Sequence, residues 1–162
     1  MNAAQLRTYI IEPVLRYLEP EIPFSAGAME LVMGTAAQES GLRHIDQLTP
    51  GPGPAYGLWQ MEGATHEDLW ASFINPRPAL REKLLMMVAP WPSRVEQLRS
   101  NLLYGAAMCR VHYRRAPEAI PPADNIEALG QLWKLRYNTS AGKGTVQQFV
   151  QSYGLVRSME NT

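Results

Sequence analysis

Residues 25–41 read SAGAMELVMGTAAQESG. Serine is a favoured helix N-cap, because its hydroxyl accepts from an otherwise unpaired N–H, and glycine is the residue that ends a helix in the left-handed conformation. The stretch therefore predicts a helix entered at Ser25, running to about Ser40 and stopped at Gly41. Ala28, Leu31, Val32, Thr35, Ala36 and Glu39 recur at steps of three or four and share one face. A carboxylate thus stands where an apolar side chain is expected. Either Glu39 frays into water beside Gly41 or pairs with Arg43, or it turns toward the core. There burial and the negative pole of the helix both raise its pKa and keep a proton available for general acid catalysis.

Outward from this helix, the chain continues as short helices divided by proline and glycine. Leu6, Ile10, Val14 and Leu18 predict an amphipathic first helix from about Ala3 to Leu18, with an interruption expected near Pro13. Prolines and glycines crowded between Pro50 and Gly57 predict a loop or short irregular hairpin. Thr65 and Asp68 have capping-box spacing at the start of a short helix. Another helix is expected from about Pro78 to Ala89, closed by PWP (90–92). Leu98, Leu102, Ala106, Cys109 and Tyr113 predict one long helix from Val95 to Arg115, the candidate for the buried centre. Asp124 and Thr145 are expected to cap two last helices, the second through VQQFVQSYG (146–154).

The chain has 162 residues, 46% of them apolar and 19% charged, with fifteen basic residues against fifteen acidic ones. That length and composition predict one globular domain, 1–162, with one core. Neutrality gives no global field for nucleic acid, and no reading motif for it appears. No run of about eighteen apolar residues occurs, and Glu12 and Pro13 follow the short apolar run near the N-terminus, so neither a membrane span nor a secretory signal is expected. Cys109 is the single cysteine and reads as a buried structural thiol.

His44, His66 and His112 lack metal-ligand spacing and read as surface or cap residues; no metal and no cofactor are expected. GPGPAYG (51–57) and SAGKGT (140–145) lack the spacing of a phosphate loop. Arg110, Arg114 and Arg115 read as a solvated basic cluster that complements a helix C-terminus. Tyr56, Trp59 and Trp70 each offer either core packing or an aromatic face for a sugar ring. Gln60 carries both a donor and an acceptor for a carboxylate or a sugar hydroxyl.

QESG (38–41), then YGLWQ (56–60), then RYN (136–138) resemble, in that order, the lysozyme-like lytic transglycosylases and related phage muramidases. The ordered set spans most of the chain. Trp59 stands where many relatives carry methionine, and YNTSAGKGT (137–145) lacks their immediate Tyr-Asn-Ala-Gly run. The resemblance implies a mainly α, lysozyme-like helical domain with a short irregular loop or small β-hairpin beside an active-site cleft, residues 42–62 forming part of a glycan groove. It implies Glu39 as the catalytic acid, with Ser40, Gln60, Tyr137 and Asn138 supporting it, and Tyr56, Gly57, Leu58, Trp59 and Gln60 against the substrate.

The implied reaction is cleavage of the β-1,4 bond between N-acetylmuramic acid and N-acetylglucosamine in bacterial peptidoglycan. Glu39 would protonate the glycosidic oxygen and then take the proton of the muramyl C6 hydroxyl as it closes onto C1, giving a 1,6-anhydro product. An intramolecular nucleophile needs no second carboxylate to hold water. Hydrolysis asks for one, or for help from the substrate's N-acetyl group, and Asp46, Glu62 and Asp68 are the nearby acids. The alternatives are a hydrolytic muramidase and a non-catalytic phage virion or cell-wall-binding protein. The expected partners are peptidoglycan glycan strands and a phage virion or lysis protein. A monomer is expected, made in the cytoplasm without an evident signal peptide and acting in the periplasm or at the cell wall, as an endolysin or from the virion.

Overall fold

The computed structural model describes residues 1–46, 53–139 and 141–160. Among them the chain forms a mainly α-helical domain with one two-stranded antiparallel hairpin. The helices are α1 (Ala3–Leu6), α2 (Glu12–Tyr17), α3 (Ala26–Ser40), α4 (Gly63–Asp68), α5 (Pro78–Met87), α6 (Gln97–Ser100), α7 (Leu102–Arg115), α8 (Ile126–Trp133) and α9 (Val146–Glu160). Wide turns of π type, Arg7–Ile11, Leu69–Ile74 and Lys134–Asn138, extend α1, α4 and α8.

The first of these turns explains how the chain passes Pro13 without breaking. The Glu12 N–H reaches back five residues to the Arg7 carbonyl. The widened turn sits just before the residue that cannot donate and whose ring crowds the preceding turn. One extra residue per turn also shifts the buried face: Ile11 is fully buried where the four-residue spacing pointed to Ile10, which is only half-buried.

At α3 the Ser25 hydroxyl accepts from the Ala28 N–H at 3.0 Å, and Gly41, at φ 58°, donates to the Ala37 carbonyl at 3.0 Å. The helix is buried on nearly every side, packed by α7, α8, α9 and the first wide turn. Small residues permit this. At Gly34 an added Cβ would stand 2.3 Å from Phe149 Cζ of α9, so α9 lies in a notch that only glycine leaves. The long-helix expectation for 95–115 is corrected: α6 and α7 are separate, because Asn101 leaves helical geometry (φ −117°, ψ 95°), accepts from the Tyr104 N–H and donates to the Met87 carbonyl. The centre of the core is α3 together with α7.

Other local expectations shift for equally local reasons. The helix at α4 begins at Gly63, so Thr65 lies inside it rather than capping it, and Asp68 pairs with Arg115. Asn125, not Asp124, caps α8. Thr145 and Gln148 cap α9 reciprocally, each side chain accepting from the other's backbone N–H, and α9 runs through Gly154 to Glu160. The basic cluster is not uniformly solvated: Arg110 is 5% exposed. His66 is 1% exposed, contrary to its surface reading, with Nε2 2.7 Å from the Tyr104 hydroxyl that also accepts from Trp70 Nε1.

The hairpin pairs β1 (Ala55–Tyr56) with β2 (Met61–Glu62), Ala55 opposite Glu62 and Tyr56 opposite Met61, with an added bridge from Asp46 to Tyr56. Gly57 turns it at φ 76° and donates to the Ile45 carbonyl at 3.0 Å. A Cβ there would stand 1.9 Å from the Leu98 carbonyl oxygen, so glycine is required both by conformation and by close approach. Part of the Pro/Gly-rich loop (47–52) lies outside the described residues. No helix among the described residues is long and apolar enough to cross a membrane.

Candidate active-site cleft

Because α3 stops at Gly41, Glu39 sits in its last turn, at the edge of the core rather than within it. It opens into a cleft of about 680 Å³ whose walls include Gln60 and Glu62 from the hairpin, His112 from α7, and Tyr137 and Asn138 after α8. The hairpin thus lies beside the cleft, and within 42–62 the described wall residues also include His44, Asp46, Ala55 and Met61.

Glu39 is partly buried and forms no ion pair with Arg43 or any other described residue. Trp133 Nε1 donates to Glu39 Oε1 at 2.9 Å. Burial pushes the carboxyl up to about 7, and the indole hydrogen bond, which favours the charged form, opposes that shift. Near neutrality the group is poised to give or take a proton. Trp133 is fully buried beneath it, its ring 5.6 Å from Phe149.

Tyr137 and Asn138 reach the cleft through the wide turn that continues α8. The Tyr137 hydroxyl donates to the Trp59 carbonyl at 2.7 Å, tying this segment to the hairpin turn, and its ring stacks on Tyr113 at 5.5 Å. Lys134 Nζ donates to Asn138 Oδ1 at 2.7 Å and to the Gly142 carbonyl at 2.8 Å, which fixes the orientation of the Asn138 amide. Gln60, in the left-handed region at φ 45°, donates from Nε2 to the Gly57 carbonyl at 2.7 Å. Glu39, Gln60, Tyr137 and Asn138 therefore share one cleft.

Other expected site residues do not line it. Trp59 is 2% exposed, donates from Nε1 to the Val32 carbonyl and packs its ring over Gly105, so it presents no face to a sugar. Leu58 and Trp70 are likewise buried. Gly57 is closed off by the Leu98 backbone, and Tyr56 lies under the Arg99 guanidinium. Leu58 and Trp59 turn inward after β1 and their apolar side chains complete the core, the role that the sequence leaves open for Trp59 and Trp70. Ser40 also stands apart, donating to the Ala36 carbonyl and accepting from the Leu42 N–H, which closes the end of α3 beneath Glu39.

Two residues at the cleft were not assigned to it from sequence: Trp133, and His112, which read as a surface or cap residue. Trp133 shares an apolar helical face with Leu129, and a buried indole requires an acceptor, a signal that was available. His112 donates from Nε2 to the Arg136 carbonyl at 2.8 Å, which leaves Nδ1 as an acceptor with no hydrogen-bond partner among the described residues, and burial lowers the pKa of the ring. A neutral imidazole of one tautomer follows. Burial pushes the Cys109 thiol up, the opposite of what activates a nucleophile. Among the described residues no group of three His, Cys, Asp or Glu side chains is placed to hold a metal ion.

The cleft therefore combines one proton-holding carboxyl with fixed amides from two elements and two further carboxylates, Asp46 and Glu62, from the segment that carries the hairpin. Such a set can protonate a leaving oxygen and hold a polyhydroxylated chain. No family model matches the chain, and neither a curated protein nor a solved structure matches it.

Proposed function

We propose that the chain cleaves the β-1,4 bond between N-acetylmuramic acid and N-acetylglucosamine in bacterial peptidoglycan, as a lysozyme-like lytic transglycosylase. The observation that carries the reading is Glu39: a carboxyl at a helix end, raised to about 7 by burial, opening into a cleft of about 680 Å³. It acts first as acid on the glycosidic oxygen and then as base on the muramyl C6 hydroxyl. Gln60 and Asn138 hold the glycan from the two walls, and Tyr137 acts indirectly, by tying its segment to the hairpin. The ordered resemblance of QESG, YGLWQ and RYN supports the same assignment.

Asp46 and Glu62 in the same cleft favour hydrolysis as the second reading, since either could hold an attacking water. The products separate the two. Mass analysis of digested peptidoglycan should show anhydromuramyl ends for transglycosylation and reducing muramyl ends for hydrolysis. Glu39→Gln keeps the acceptor for Trp133 but has no proton to give, so it should abolish cleavage with the fold intact. Intact glycan after incubation with the unmodified protein, in an assay where a control enzyme cuts, refutes both readings and leaves a non-catalytic wall-binding or virion role.

A further inference from the structure

Arg110 stands apart from the other cations among the described residues. It is 5% exposed, yet no carboxylate among the described residues pairs with it; Nη2 donates to the Pro23 carbonyl at 3.3 Å, and Nε and Nη1 are buried with no hydrogen-bond partner among those residues. Arg7, the other deeply placed guanidinium, is paired with Glu30 and Glu160. Leaving a buried charge uncompensated is costly, and such side chains are normally paired or bound to something.

Arg110 borders a cavity of about 220 Å³ on the face of α7 away from the cleft. Arg114, one turn on, lines the same cavity and forms no ion pair among the described residues. Ser25, the cap of the fifteen-residue α3, forms part of its wall, so the positive end of that helix borders it as well. The one acid on the wall, Glu118, is engaged by both Nε and Nη2 of Arg136. Burial pushes the Arg110 guanidinium down to about 10, so it stays charged at neutral pH. Two guanidinium groups and a helix N-terminus thus border one cavity whose described carboxylate, Glu118, is already held by Arg136.

We infer that this cavity is a binding site for a compact oxyanion, a carboxylate or phosphate group held chiefly by Arg110, with Arg114 at its mouth. Its volume equals about seven waters' share of liquid, enough for such a head group and its hydration and too little to enclose a sugar chain. Guanidinium groups suit carboxylate and phosphate oxygens because their planar, charge-assisted donors match them. The site is separate from the Glu39 cleft, and the inference stands whether or not the chain cuts peptidoglycan.

The test is titration of the full chain with sodium phosphate and, separately, sodium acetate, against sodium chloride at equal ionic strength. Heat of binding and the 15N-resolved Arg110 Nε–H resonance are followed together. Saturable binding of phosphate or acetate, with that resonance shifting along the same isotherm, is expected. Arg110→Met should weaken it at least about tenfold, and Arg114→Gln should weaken it less and in a salt-dependent way. If neither anion binds saturably, or a folded Arg110→Met binds as the parent does, the inference is overturned. Should Arg110→Met fail to fold, the Nε–H resonance in the unmodified chain decides alone: no shift with either anion overturns the inference.

Discussion

Glu39 has a stability consequence that can be read without any substrate. Its carboxyl is raised from 4.5 to about 7 on folding, so the folded chain holds this proton more tightly than the unfolded one. Its favourable contribution is complete below about pH 4.5 and is lost as the pH rises through about 7. The gap corresponds to roughly 3 kcal/mol at 1.36 kcal/mol per pH unit. Glu39→Gln is neutral throughout, so between pH 4.5 and 8 its stability should change less than the parent's. At pH 8 it should exceed the parent by about 1–3 kcal/mol. Urea unfolding at several pH values measures this, and identical pH slopes in both proteins contradict a sheltered carboxyl. The periodicity of α3 was enough to place Glu39 on an apolar face. It could not supply Trp133, which is 94 residues away in sequence and meets the carboxyl only because α8 crosses the end of α3.

Among the elements, the hairpin turn depends most on one residue. Gly57 combines φ 76° with a backbone carbonyl where a Cβ would be. Gly57→Ala should therefore cost about 2–4 kcal/mol, through left-handed strain and displacement of the Leu98 backbone. It should also shift the Trp59 carbonyl that anchors Tyr137. Denaturant unfolding gives the first, and loss of the Tyr137 hydroxyl proton's protection in NMR gives the second. A near-neutral substitution contradicts the close approach. Turn chemistry made a glycine-rich loop legible here, and capping chemistry made Ser25 and Thr145 legible. The direction of YGLWQ was not: apolar side chains that suit a groove wall suit a core equally, and Leu58 and Trp59 went inward, the Trp59 ring packing on Gly105 of α7.

The molecule as a whole is tied together by a buried polar junction between the N-terminal helices, α3 and α9. Arg7 donates to Glu30 and, at 3.1 Å, to Glu160, while the Tyr153 hydroxyl donates to Glu30. Glu30→Ala leaves Arg7 with Glu160 alone and the Tyr153 hydroxyl without its acceptor, and should cost about 2–3 kcal/mol. Because α9 also fills the Gly34 notch and packs on Trp133, its loosening should reach the Glu39 end of α3. Hydrogen exchange should show lost protection in α9 and in the last turn of α3; a change confined to the N-terminal helices contradicts that coupling. From the residues in order one reads the helical class, the caps at Ser25, Gly41 and Thr145, and the acid at the end of α3, since each depends on spacing and backbone preference among near neighbours. Which side chains face the cleft, the burial of Arg110 and His66, the pairing of Arg7 with Glu30 and the elevated carboxyl of Glu39 arose from contacts between distant segments. Burial and electrostatics depend on what packs against a residue in space, and a local pattern carries no record of that.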